Sequence, residues 1–280
     1  MTKMQKYTRT TENNRTINNR EIVMNMFLHL GFAGAAFCTL VGAARAAAEE
    51  TASETRAIDA RVVRVKLDGI VDLKLKQGPV ALLVISGNKR YLARTTTIQN
   101  GDTLTIDTES HGFKLLRSEA RLRAELTLPR LREVSSESLG STEIAGFTGD
   151  QLDLSLDGAG SMKVVSDYRI VNASLGGLGS MNIKGVNSDG VDLNLQGAGY
   201  VTLSGRSKWL KAHMGGLGSL HAQSFDADTV DLDLSGLGNA AVTARQSATL
   251  SVSGLGSVTV YGKPLNRSVS VDGLGKVSWK

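Results

Sequence analysis

The chain has 280 residues, a formal net charge of +5, 31 glycines, 3 prolines, 41% apolar residues and 5% aromatic residues. That apolar content excludes a disordered chain, and the lack of a strict Gly-X-Y period excludes a collagen-like one. The charge does not mark a nucleic-acid partner, because residues 1–48 carry six Lys/Arg against two acids, leaving a nearly balanced 26 basic and 25 acidic residues elsewhere.

Residues 1–48 read as a leader. A polar, net-positive stretch (1–25) precedes an apolar run from Met26 to Gly42, and A-x-A-like sites follow at Ala44-Arg45-Ala46 and Ala46-Ala47-Ala48. This pattern predicts a secretory signal cleaved near 46–48, with Met1, Met24 or Met26 as the start. The run is interrupted by His29 and is short for a membrane span of about 20 apolar residues. Cys38, the only cysteine, lies within it behind Phe37, where a lipoprotein signal wants a small residue. The mature chain is therefore expected to be exported to the periplasm or cell surface, without disulfides or thiol chemistry and stable by burial alone. No later stretch is apolar enough to span a bilayer, and residues 49–57 are expected to be a loose tail.

Residues 58–135 predict irregular opening turns and a cap. Alternating runs at Arg61–Val65, Gly69–Leu75, Val80–Ile85, Thr103–Asp107 and Arg121–Leu128 read as strands, with turns at Ser86-Gly87-Asn88 and Asn100-Gly101-Asp102. No linker-like composition divides them from the residues after 135, so 58–280 is taken as one domain.

From 136 to 280 the chain repeats. Gly-[Ala/Leu]-Gly triplets begin at Gly158, Gly177, Gly197, Gly216, Gly236, Gly254 and Gly273 and close at Gly160, Gly179, Gly199, Gly218, Gly238, Gly256 and Gly275, at steps of 19, 20, 19, 20, 18 and 19. Leu139-Gly140-Ser141 is a degraded eighth copy. The sixth, fourth and second positions before each triplet, and the fourth and sixth after its first glycine, are apolar in 34 of 35 slots, Arg267 being the exception. Of the 28 interleaved slots only Tyr200 and Ala241 are apolar. A period of two means half-buried strands, so each copy predicts two strands joined at a glycine corner. Propeller blades take about 40–45 residues, whereas turns near 20 suit a solenoid. Seven turns stacked about 4.8 Å apart would run about 34 Å. Glycine suits the corner by reaching positive φ and by letting successive turns approach closely. A phosphate-cradling role for these G-x-G triplets is excluded, because a strand rather than a helix follows each one.

The outward slots supply the candidate chemistry. Equal turn lengths align Asp192, Lys211 and Asp231 in one column and Asn194, His213 and Asp233 in the next, so Lys211, His213, Asp231 and Asp233 form an exposed patch with His221 across the corner. A lysine between aspartates on adjacent turns is first of all cross-strand pairing, worth roughly 0.2–1 kcal/mol. Asp153 joins the first column but is separated from Asp192 by Asn172. His111, His213 and His221 have no metal-ligand spacing, and no G-x-S-x-G precedes a helix. Catalytic, cofactor and metal residues are all expected to be absent. Tyr200, Trp209 and Tyr261 fit corner packing better than a sugar-stacking array.

The V-x-L-x-L-x-G-x-G turns, together with Leu67-Asp68-Gly69-Ile70-Val71-Asp72-Leu73-Lys74-Leu75-Lys76-Gln77-Gly78, Leu126-Thr127-Leu128-Pro129-Arg130-Leu131, Val260-Tyr261-Gly262-Lys263-Pro264 and Val271-Asp272-Gly273-Leu274-Gly275, resemble the putative auto-transporter adhesin head GIN domain family over about residues 58–280. The resemblance implies an all-β, single-stranded, right-handed parallel β-helix of about 19–20 residues per turn, placed outside the cytoplasm. A membrane-barrel translocator is not expected in this chain. The expected role is a non-catalytic, adhesin-like surface for a glycan, cell-wall or protein partner, without nucleic acid. Two alternatives are a carbohydrate-active β-helix enzyme and an envelope assembly component that oligomerises through solenoid ends or faces.

Overall fold

The computed structural model describes residues 51–108 and 122–280. The leader with its signal reading, Cys38 and His111 lie outside the described residues. The described chain is a parallel β-solenoid of about 7 turns, in which 17 strands join in one continuous sheet.

The opening segment contains β1 (Thr51–Ala57), β2 (Arg64–Asp68), β3 (Val71–Gln77), β4 (Leu82–Asn88), the single helical turn α1 (Lys89–Leu92), β5 (Thr95–Asn100), β6 (Thr103–Thr108), β7 (Leu122–Leu128) and β8 (Glu133–Ser136). Its coils do not stack in chain order. β2 and β3 form one coil bent at Gly69, where φ is +86°. β6 and β7 run parallel to it on one side; β8 and the start of β9 (Ser141–Leu156) run parallel on the other. The first coil is thus inserted between later ones. Its inward residues Val65, Leu67, Val71, Leu73 and Leu75 are buried, and both hydrogen-bonding edges of the coil are equally able to accept a neighbour. Closing the longer loop costs little extra, since that penalty rises only logarithmically with length.

Antiparallel strands close this end: β4 on β7, β1 on β4, and β5 on β6. Residues 51–57, expected to be loose, are therefore an outermost strand. Arg56 ties them down by donating from Nη1 to Thr95 O at 3.1 Å and to Thr97 Oγ1, and from Nη2 to Glu54 Oε2 at 3.0 Å. Asn88 Oδ1 accepts from Arg90 N at 3.0 Å and caps α1, whose Leu92 is buried in the core.

The regular turns follow as β9, β10 (Ser161–Leu175), β11 (Ser180–Leu195), β12 (Tyr200–Met214), β13 (Ser219–Leu234) and β14 (Asn239–Gly254), then β15 (Ser257–Tyr261), β16 (Asn266–Gly273) and β17 (Lys276–Trp279). Equivalent residues pair in parallel, as along Leu154, Ala173, Leu193, Ala212, Leu232 and Leu250. Every apolar slot of the repeat from Leu152 through Val260 is buried. The triplet is a corner as the repeat predicts. Between triplets, however, each strand continues for 15–16 residues and bends at register shifts such as Val165/Asp167 and Ile183/Val186, with Gly146 and Gly185 at positive φ. The bends create a third, short side whose inward residues include Phe147, Tyr168, Val186 and Phe225. These fall outside the period-two slots, so alternation alone does not reveal them.

The corner glycines have one cause where two were expected. Of the triplet glycines, only Gly254 and Gly273 have positive φ. Close approach is the general reason: a Cβ at Gly177 would lie 2.1 Å from Gly158 O, and one at Gly197 2.0 Å from Gly177 O. Stacked corners place each glycine against the carbonyl of the turn before.

At the far end, β16 and β17 pair with β14 and β15 and no turn covers them among the described residues. Val269 and Val271 are consequently 43% and 44% exposed. Arg267, the one charged residue in an apolar slot, lies with its guanidinium 4.5 Å from the Trp279 ring centroid, and its Nε donates to Pro264 O at 3.1 Å.

Candidate binding face

The strand preceding each glycine corner turns its polar slots outward, and parallel pairing brings like positions into columns. Glu133, Asp153, Asn172, Asp192, Lys211 and Asp231 follow one another in the first column; Ser135, Ser155, Ser174, Asn194, His213 and Asp233 form the second. Lys211, His213, Asp231 and Asp233 are thus neighbours, as the turn length predicts. Their contacts are loose. His213 Nδ1 is 4.0 Å from Asp233 Oδ2, and among the described residues no ion pair joins Lys211 to either adjacent aspartate. His221 stands on the strand after the corner, edge-on to Tyr200 with ring centroids 6.4 Å apart.

The better-formed feature lies in the preceding turns of the same face. A shallow hollow of about 430 Å³ is lined by Glu133, Asp153, Asn172, Asp192 and Asn194, with Ser155 and Ser174 alongside. Asn172, which separates the carboxylates in the sequence column, bonds one of them: its Nδ2 donates to Asp153 Oδ1 at 2.7 Å, and Gln151 Nε2 donates to the same oxygen at 2.9 Å. Ser155 Oγ donates to Asp157 Oδ2 at 2.8 Å. The bonds from Asn172 and Gln151 hold the Asp153 carboxylate in place, with hydroxyl and amide groups at its rim. Only the column, and not the hollow, is visible in sequence. Among the described residues no group of three or more His, Cys, Asp or Glu is placed to hold a metal ion.

The third side carries a second groove, of about 410 Å³, lined by charged residues of both signs. Asp150, Arg169, Asp189 and Lys208 alternate in sign up successive turns, with ion pairs of 3.3, 3.2 and 2.7 Å. Hydrogen bonds from Lys208 and Arg169 hold the Asp189 carboxyl below the usual range, and bonds to Asp189 and Asp150 push the Arg169 guanidinium up. The 19–20-residue step is the signal for this ladder, once the third side is known. Behind it, Tyr168 Oη donates to Leu131 O at 2.7 Å, and burial pushes its phenol up to about 12. Trp209 packs where a Cβ on Gly190 of the adjoining turn would meet the indole, and Lys280 Nζ lies 5.7 Å from the Tyr261 ring centroid. Trp209 thus packs against a neighbouring turn, whereas Tyr200, also expected to pack at a corner, is 52% exposed.

Residues 63–264 match the sequence family described as putative auto-transporter adhesin, head GIN domain. Among curated proteins none matches the chain. Solved structures share the fold. A putative adhesin from Bacteroides fragilis is 20% identical with a TM-score of 0.64, over 83% of this chain and 98% of its own. A putative adhesin from Parabacteroides distasonis is 15% identical with a TM-score of 0.73, again over 83% and 98%. A protein from the same organism, described as a putative lipid binding protein, is 19% identical with a TM-score of 0.72, over 81% of this chain and 96% of its own.

Proposed function

Because this chain belongs to the family described as putative auto-transporter adhesin, head GIN domain, we propose that it is an exported, non-catalytic binding protein whose polar face holds an extended, hydroxyl-rich glycan chain of the cell envelope. The observation that carries this reading is the hollow around Asn172, where carboxylate, amide and hydroxyl groups recur at the spacing of the turns. An open, rigid array of that kind suits a repeating polymer better than a small molecule, which needs enclosure. Alternating acceptors and donors match sugar hydroxyls. Glu133, Asp153 and Asp192 together disfavour an acidic polymer, so neutral chains are the expected class. Asp153 acts here by accepting hydrogen bonds, with no chemical step assigned to it.

Export is supported by the residue pattern before 48. Fractionation of the native host tests it: recovery of the chain in the cytosol alone would refute this part of the proposal. The binding reading is tested on a panel of neutral and acidic envelope glycans with the full chain. Asn172→Ala and Asp153→Asn are each expected to weaken binding to a neutral chain by roughly tenfold, about what one or two lost hydrogen bonds give, while Lys211→Ala changes it less. Equal binding by all variants, or turnover of any glycan, would count against the proposal.

A further inference from the structure

The glycine corner carries a second surface, apolar where the outward slots beside it are polar. Leu178, Leu217, Leu237, Leu255 and Leu274 occupy the middle of five triplets and are 53–82% exposed. The corner itself does not require them. Its glycines are needed because the turns approach closely, but the middle side chain points to solvent, and alanine serves at Ala159 and Ala198. From Leu217 to Leu274 the leucines fall on four consecutive turns, held in step by bonds such as Leu217 N to Gly197 O and Leu237 N to Gly216 O. Isolated exposed leucines are ordinary; a straight row at equivalent positions is a patch.

We propose that this ridge seats the protein on a lipid bilayer, with its leucines inserted at the boundary between headgroups and acyl chains. Three observations choose lipid over protein. The ridge is convex and one side chain wide per turn, so it cannot supply the roughly 800 Å² per partner that a stable protein interface takes; a fluid surface conforms to a convex edge. Its margins are uncharged in four of the five turns, Asp272 and Lys276 flanking only the terminal Leu274. In the turns of Leu178, Leu217, Leu237 and Leu255, the residues two before and two after, from Gly176 and Ser180 to Ser253 and Ser257, are all Gly, Ser or Asn, so insertion strips no charge of water. Tyr200, 52% exposed and two residues past Ala198, adds an aromatic with a polar tip at the margin, the kind of side chain that prefers the headgroup level. Since no basic cluster flanks the row, attachment does not depend on anionic lipid and persists in high salt. The ridge is a different surface from the glycan face, and its role stands without that face.

The test places a reporter on the ridge, which separates its contribution from that of the apolar run in residues 26–42. The full chain carries Cys38→Ser and Leu237→Cys, is labelled at the new thiol with an environment-sensitive fluorophore, and is titrated with phosphatidylcholine vesicles. The expected result is a blue shift that survives high salt, with no shift for the same label at Ser251→Cys on the polar face. Replacing Leu178, Leu217, Leu255 and Leu274 by Ser in the Leu237→Cys chain is expected to weaken the titration on the order of a hundredfold, with an unchanged circular dichroism spectrum. No shift at position 237, an equal shift at 251, or an unweakened titration overturns the proposal. A vesicle-free shift that grows with protein concentration also overturns it and assigns the ridge to a second copy of the chain.

Discussion

At the scale of single residues, the fold depends on what each position leaves out as much as on what it supplies. Gly197 has to lack a side chain because Gly177 O occupies the place of its Cβ, 2.0 Å away. Gly197→Ala is expected to lower stability by about 2–4 kcal/mol in denaturant titration, as over-packing against backbone does. Leu217→Ala, at an exposed corner position, is expected to stay within about 0.5 kcal/mol. Tyr168 shows the opposite case, a polar atom admitted because it has a partner. Its phenol is pushed from 10.0 up to about 12 by burial, so the unfolded chain ionises first as pH rises. The stabilisation is present in full below pH 10 and is lost between pH 10 and about 12. Tyr168→Phe is expected to flatten that part of the stability profile, at a cost near neutral pH of about 1 kcal/mol for the lost bond to Leu131 O. The same profile in both proteins would contradict the assignment.

At the scale of elements, short-range pattern and long-range pairing divide the work. The alternation in β9 to β14 is strong enough to specify which face is inward, because a slip of one residue would expose the whole apolar row. β1 has no such alternation, and Arg56 supplies its order through bonds to β5 residues about 40 positions away. Arg56→Ala is expected to speed amide exchange in residues 51–57, lowering the local opening free energy by about 1.5–3 kcal/mol, and to leave β10 to β13 unchanged. Loss of protection throughout the solenoid would show instead that the cap and the turns unfold as one unit. The third side belongs to this scale too. Its charge ladder becomes visible only when β10 and β11 are laid beside each other in register, and Asp189 then stands between Arg169 and Lys208.

At the scale of the molecule, the two ends of the shaft differ. Antiparallel strands cover one, whereas Arg267 on Trp279 lies at the other, beside the half-exposed Val269 and Val271. An inward charge on an edge strand discourages a second chain from pairing there. Arg267→Leu is therefore expected to give a mass that rises with concentration in light scattering, while the parent chain stays at one mass; a parent that already associates end to end would remove this role from Arg267. What the sequence determined by itself was the repeat: its step, its inward rows, its glycine corners, and the columns that bring Asp231 beside Lys211 and Asp233 beside His213. All of these come from local alternation at constant turn length. Only the tertiary structure decided that β2 and β3 are inserted between later coils, that Thr51–Ala57 closes an end, that a third side exists and that the face hollows around Asn172. Those features depend on which edges meet and where the strands bend, and hydrogen-bonding edges are alike whatever residues carry them.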